Sequence, residues 1–370
     1  MVSHPPLWLI LIAFICLLGP LVFFHELGHY LVARLFGIPA ETFSIGFGRE
    51  IIGWTDRQGT RWKVAWLPLG GYVKFVGDMT PASEPVDLET IPEHLRERAF
   101  QLRPVWQRFL VVLAGPMANF VLAIVIFAGV FSLVAGPETN KIGRIEPGKA
   151  AAAAGFQRGD RILSVAGQQT RNFEQVRNLV EHRANQVVSI VFERGGIVHK
   201  VPVRIGTDQI VDETGKKTSI GLFGVSPAPV SIFKAVPLAT VQTVRITGWI
   251  AQGAVQLISG QRSRQDVGGP IRIAQFAGQA ASLGVLPFIQ LLALLSINLG
   301  FINLLPVPLM DGGHLFFYAV EGVRRRPISE RALEWAFRSG LAVILALVAF
   351  TTINDLGSIG LWDRLQRLIG

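Results

Sequence analysis

Phe24-His25-Glu26-Leu27-Gly28-His29 lies inside an apolar run from Leu7 to Phe36, and its reading decides the rest of the chain. Histidines four apart on a helix project from one face. Neutral imidazoles at that spacing can share one Zn²⁺, and the glutamate beside them can act as general base toward a water that the metal activates. A pattern this short also arises by accident, as ordinary charges on the wet face of a soluble helix. That alternative needs a polar helix. Here three ionisable groups interrupt a segment otherwise fit to cross a bilayer, where such groups are costly and usually functional.

Composition points the same way. Half of the 370 residues are hydrophobic and only 16% are charged. Mean hydropathy is +0.42, too apolar for an ordinary soluble enzyme. The formal charge of +9 fits basic flanks facing anionic lipid, and no DNA- or RNA-binding motif accompanies it. Cys16 is the only cysteine, so no intramolecular disulfide is possible. A signal peptide would carry basic residues before a short apolar core. No Lys or Arg precedes Leu7, and the run is too long, so residues 1–36 read as a retained transmembrane helix. Arg34 and Arg49 follow it, which puts the N-terminus outside and the histidines toward the cytoplasm.

Residues 37–103 change character. Alternation over Phe43–Gly48 and Arg61–Trp66, around Asp56-Arg57-Gln58-Gly59, reads as one or two β-hairpins. Their glycines and tryptophans suit a sheet at the membrane boundary, and pattern alone equally allows a small soluble hairpin. From Met79 to Arg103 a surface loop with a short helix is expected. Residues 104–136 hold the second span, with Asn119 its one strongly polar side chain, able to act as interhelical glue or to support a site. Residues 137–206 read as a soluble α+β module on the extracytoplasmic side. The order is strand Ile142–Ile145, a short Ala-rich helix, strand Ile162–Val165, a helix from Phe173 capped by Asn172, and a hairpin around Arg194-Gly195-Gly196. Residues 207–280 read as a linker followed by interfacial amphipathic helices. Residues 281–323 hold the third span, taken from Val285 to Leu309, where Pro306 and Pro308 break the helix before Met310-Asp311-Gly312-Gly313-His314. Residues 324–370 open on Arg324-Arg325-Arg326, a cytoplasmic mark, and hold a short fourth span, Leu341–Ile353 continuing a helical pattern begun near Arg331.

This topology tests the motif. The first and third spans both end inside, so the two helices can bring His25, His29 and Asp311 to one depth. A catalytic zinc takes three protein ligands and keeps one open position. Asp311 is the best third ligand, and the glycines after it allow close backbone approach. His314 and Glu321 are rivals. Asn298 and Asn303 could hydrogen-bond an unwound substrate strand or simply pack within the bundle. The implied chemistry is hydrolysis, with Glu26 taking a proton from water and returning it to a leaving amine. A site inside the membrane implies a substrate that is itself a membrane segment.

HELGH in the first span, Gly70-Gly71-Tyr72-Val73, AGPMAN at 114–119 and NLLPVPLMDGGH at 303–314 together resemble the site-2 protease family of intramembrane zinc metalloproteases. Their order and spacing are similar to the group of the bacterial regulator of sigma-E protease. The resemblance implies a polytopic α-helical membrane protein with four transmembrane helices, a membrane-associated β-hairpin sheet and one extracytoplasmic PDZ-like domain. It implies Zn²⁺ held by His25, His29 and Asp311, with Glu26 as catalytic base. It also implies Asn298, Asn303, Pro306 and Pro308 as substrate-binding positions and the 40–75 sheet as a substrate-binding edge. The expected partners are transmembrane segments of single-pass proteins, such as anti-sigma factors or remnant signal peptides, in regulated intramembrane proteolysis. Peptide termini at the PDZ-like domain and the lipid bilayer are further partners; nucleic acid is not. The expected location is the bacterial inner membrane, with both termini extracytoplasmic and the PDZ-like domain periplasmic. Two features depart from the family pattern: Met310 stands where Leu is usual, and one PDZ-like module fits where well-known relatives have two. A membrane-anchored PDZ scaffold and an ion transporter compete with this reading. Glu26 counts against the scaffold, since a structural site needs no base, and the lack of repeated spans counts against the transporter.

Overall fold

A computed structural model describes residues 5–78, 91–136, 139–211, 217–261 and 268–358. Helix α1 (Leu7–Leu35) runs unbroken through the histidine motif. Leu17 and Leu21 are buried while Leu11, Ile12 and Ile15 are exposed, the behaviour of a helix apolar on every face and partly surrounded by lipid. Gly37, left-handed at φ 71°, ends it, and the Ile38 N–H turns back to the Ala33 carbonyl.

Strands β1 (Ala40–Thr55) and β2 (Arg61–Phe75) form a single antiparallel hairpin. Asp56 fastens the turn by accepting the backbone N–H groups of Gln58 and Thr60. Phe43 pairs with both Val73 and Trp62, and Ser44 with both Tyr72 and Lys63, so residues 42–45 run between two segments of β2. Gly46 and Gly48, both at φ 90°, allow β1 to bend after that point. Tyr30, Ala33, Ile38, Phe43, Phe75 and Phe100 clamp the sheet onto α1, with the Phe43 and Trp62 rings stacked at 4.3 Å. Ile51, Ile52, Trp54 and Trp66 remain exposed, an apolar surface suited to a membrane boundary. Of the loop expected over 79–103, residues 79–90 lie outside the described residues. After them come α2 (Glu93–Arg96), a 3₁₀ turn at Phe100–Leu102 and α3 (Val105–Leu133).

The chain divides into two compact units, residues 124–242 and the remainder. The smaller unit contains β3 (Ile142–Ile145), α4 (Ala150–Ala153), β4 (Arg161–Val165), β5 (Gln168–Gln169), α5 (Phe173–Glu181), β6 (Val187–Arg194) and β7 (Ile197–Arg204). This is the expected order, and Asn172 caps α5 by accepting the Gln175 N–H. Strands β5-β4-β6-β7 form a four-stranded antiparallel sheet. The expected end of the module at 206 needs correction. The stretch read as a linker forms β8 (Gly206–Val211), β9 (Lys217–Leu222) and β10 (Val225–Pro227). β10 pairs with β3, and Phe223 joins the core of Ile142, Phe156, Ile162 and Ile190. β8 and β9 pair with each other, and only β10 has a distant partner; the glycines and prolines of this stretch masked the strand pattern of all three.

Helices α6 (Ile232–Ile258) and α7 (Pro270–Leu283) fill the region read as amphipathic, and α8 (Val285–Asn303), α9 (Asp311–Arg324) and α10 (Glu330–Ser358) complete the chain. The third span also needs correction. Its helix stops at Asn303, and Asp311 is the first residue of a separate helix. Pro306 and Pro308 lack the N–H groups a continuing helix would use, and Leu309 sits at φ 74°. Gly312 belongs to this turn: a Cβ there would lie 2.1 Å from the Leu305 carbonyl oxygen. The fourth span covers Arg331–Gly357, starting where the helical pattern of the sequence begins and running past Ile353. With α1, α3 and α8 it makes four helices long and apolar enough to cross a membrane among the described residues. Asp355 of α10, 1% exposed, caps α7 from outside, accepting the N–H groups of Gly269, Ile271 and Arg272.

Candidate metal centre

One helix turn separates His25 and His29, and both rings are buried on the same face of α1. Their Nε2 atoms lie 3.3 Å apart. Asp311 arrives from the start of α9, with Oδ2 3.1 Å from His25 Nε2 and Oδ1 3.6 Å from His29 Nε2. Ligand atoms from all three fall within 4.8 Å of one another. Two nitrogens bound at 2.0–2.1 Å to a tetrahedral zinc would be about 3.3–3.4 Å apart, so the observed spacings match that cation. Asp311 Oδ2 is buried with no hydrogen-bond donor although an imidazole nitrogen faces it. An acceptor turned toward acceptors is a donor set waiting for a cation.

Helix α3 supports both rings. His29 Nδ1 lies 2.9 Å from the Val111 carbonyl oxygen, an acceptor only. The ring proton therefore sits on Nδ1, leaving the Nε2 lone pair free to bind. His25 Nδ1 meets the Asn119 amide at 3.1 Å. The atom there is Nδ2, while Asn119 Oδ1 is buried without a donor; exchanging the two amide ends satisfies Oδ1 with Nδ1–H and leaves His25 Nε2 free as well. Close packing makes these contacts possible. A Cβ at Gly115 would stand 2.1 Å from His29 Nε2, and one at Gly28 would stand 2.3 Å from the Ala114 carbonyl oxygen. Small residues on both helices thus bring α3 up to the histidines.

Glu26 sits one residue along α1 from His25, and its carboxylate accepts the Val73 backbone N–H from β2. A Cβ at Gly71 would lie 3.2 Å from Glu26 Cγ, so the 71–75 segment passes directly over the glutamate. Asn303 Nδ2 comes within 3.5 Å of His25 Nε2. Asn298 makes no hydrogen bond among the described residues. Pro306 is exposed, and Pro308 packs against Gly340 of α10, so both prolines shape the turn between α8 and α9. Neither rival ligand joins the cluster among the described residues. His314 packs on Phe337 with ring centroids 5.3 Å apart, and Glu321 pairs with Arg108 at 2.7 Å.

Val111 and Val73 contribute backbone atoms, for which a side-chain sequence has no signal. Gly28 and Gly115 were visible as small residues inside the HELGH and AGPMAN motifs.

The sequence profile of peptidase family M50 matches residues 13–347. A zinc metalloprotease of Agrobacterium fabrum is 42% identical over 364 residues, covering 94% of this chain and 96% of that one. The metalloprotease MmpA of Caulobacter vibrioides is 38% identical over 383 residues, covering 94% and 95%. Among solved structures, the PDZ domain of an SdrC-like protein from Listeria monocytogenes matches 24% of this chain and 85% of its own, at 13% identity and a TM-score of 0.19.

Proposed function

The chain belongs to peptidase family M50 and is a zinc metalloprotease in a multi-pass membrane protein, and on that premise we propose that it hydrolyses peptide bonds within the transmembrane segments of single-pass proteins. The observation carrying this reading is the His25–His29–Asp311 cluster beside Glu26, inside helices otherwise apolar enough to span a bilayer. In this proposal the three residues hold the zinc, which when bound polarises the scissile carbonyl and acidifies water. Glu26, oriented by the Val73 N–H, takes the proton from the attacking water. It then delivers that proton to the leaving amine as the C–N bond breaks. Val111 and Asn119 keep the imidazoles turned the right way.

A helical substrate hides its amides in its own hydrogen bonds, so it must unwind locally before attack. The 71–75 segment, lying over Glu26, is a ready partner for the unwound strand. Asn303 is close enough to the cluster to hydrogen-bond it. Asn298, Pro306 and Pro308 would contribute by shaping the path to the site. The proposed location is the bacterial inner membrane, with the 124–242 unit outside as a PDZ-like module that receives peptide termini. Substrates of the anti-sigma-factor or remnant signal-peptide type, cut in regulated intramembrane proteolysis, fit that arrangement.

The test compares purified wild type with Glu26→Gln in detergent, measuring zinc content and cleavage of a model single-pass substrate. Both proteins should hold about one zinc, with cleavage reduced roughly 10²–10⁴-fold in the variant. Equal cleavage by both would remove Glu26 as the base. Zinc in both with cleavage in neither, across several substrates, would favour a scaffold.

A further inference from the structure

Away from the metal cluster, α3 and α9 enclose a cleft of about 720 Å³. That is within the usual range of roughly 300–1,000 Å³ for small-ligand sites. Its α3 wall is apolar: Val105, Trp106, Phe109 and Leu110. The charges on its floor cancel. Arg108 pairs with Glu321 at 2.7 Å, and the same guanidinium lies 4.8 Å from the centre of the Tyr318 ring. No unpaired acid is therefore left in the described lining to repel an anion. The rim differs. Arg325 and Arg326 are exposed, and neither has an ion-pair partner among the described residues. Arg325 adopts a left-handed backbone (φ 54°) that ends α9 and turns the chain into Pro327.

Position completes the argument. Residues 105–110 form the first turns of a candidate membrane span, so the cleft lies where hydrocarbon gives way to headgroups. A soluble anion has no use for the aromatic and aliphatic wall, and a neutral lipid has no use for two exposed guanidinium groups. A molecule with both an acyl chain and a negative headgroup satisfies both, and basic pockets between membrane helices are suited to such lipids. We propose that the cleft between α3 and α9 is a binding site for one anionic phospholipid, with its phosphate on Arg325 and Arg326 and an acyl chain along Trp106, Phe109 and Leu110. The site stands independently of the role given to Glu26.

The test uses the full-length protein in detergent, titrated with dioleoylphosphatidylglycerol, dioleoylphosphatidylcholine or inorganic phosphate, with bound lipid counted by native mass spectrometry. The anionic lipid should bind at least about tenfold more tightly than the neutral one, and phosphate should not displace it. Arg325→Gln with Arg326→Gln should abolish that preference. Arg57→Gln, at an exposed arginine in the hairpin turn, should leave it intact. Gly322 lines the cleft, and a Cβ there would meet nothing within 4 Å. Gly322→Phe should therefore fill the space and expel the lipid with both arginines still present. Each variant is checked for wild-type zinc content and gel-filtration behaviour; if the double variant fails that check, Gly322→Phe and the wild-type preference decide. Equal binding of the two lipids, displacement by phosphate alone, or unchanged binding in Gly322→Phe would each overturn the proposal.

Discussion

Gly115 has no side chain, and the His29 ring occupies the space one would need. Gly115→Ala should push the ring off its Val111 acceptor. Zinc content should fall, and stability should drop by about 1–3 kcal/mol, the usual cost of overpacking. Zinc analysis together with thermal unfolding checks both. Asn119 acts at one remove, through His25. Asn119→Ala should leave all three ligands in place yet weaken zinc affinity roughly 10–100-fold. Competition against a chelator measures this, and unchanged affinity would reduce Asn119 to interhelical glue. HELGH and the aspartate after the third span were legible from residue type alone, since few arrangements justify such groups in apolar helices. The pairing of Asn119 with His25 was not, because an asparagine in a membrane helix has many possible partners.

Among the elements, Asp160, the residue before β4, and Arg194, the last residue of β6, form an ion pair on which acid should act. Asp160, with its side chain 1% exposed, accepts two hydrogen bonds from Arg194 and one from the Gln157 N–H. Burial disfavours its charge, but the Arg194 hydrogen bond and the others outweigh that and hold the carboxyl below the usual carboxylate range. A depressed folded value means that this stabilisation is complete above the unfolded carboxyl value of about 3.9 and is lost as pH falls below it. Protection of the β4 and β6 amides in the full-length protein, corrected for the intrinsic exchange rate, should therefore fall as the pH is lowered below about 4. In Asp160→Asn that acid dependence should flatten, and exchange should be faster already at neutral pH. The hairpin, the Asn172 cap and the order of the module were readable because each depends on neighbours in sequence. β8, β9 and β10 were not; the break between α8 and α9 holds the prolines that announced it, but opens before them, at Asn303. The prolines announced a break, but the run stays apolar to Leu309, so composition did not show that the helix already stops at Asn303 or that Gly312 packs closely in the turn.

For the whole molecule, the basic residues after α1 and α9 predict that the 124–242 unit and the Arg324–Arg326 cluster face opposite sides of the membrane. In a Cys16→Ser background, a membrane-impermeant maleimide should label Arg158→Cys on intact spheroplasts and Arg324→Cys only after lysis. The reverse pattern would invert the topology and move the metal cluster to the other face. By itself the sequence determined the membrane class, the four apolar helices, the motif pair and the chemistry it implies. Hydropathy, helical spacing and ligand type are local properties, and each leaves its mark within one turn or one span. The tertiary structure brought Asp311, the acid the sequence favoured, to the two histidines, and paired the rival Glu321 with Arg108. It likewise decided that α3 supplies the partners of both rings and that β2 lies over Glu26. Those contacts join residues as many as 286 positions apart, the separation between His25 and Asp311, and are fixed by how closely glycine-bearing helices can pack, which no short window of sequence records.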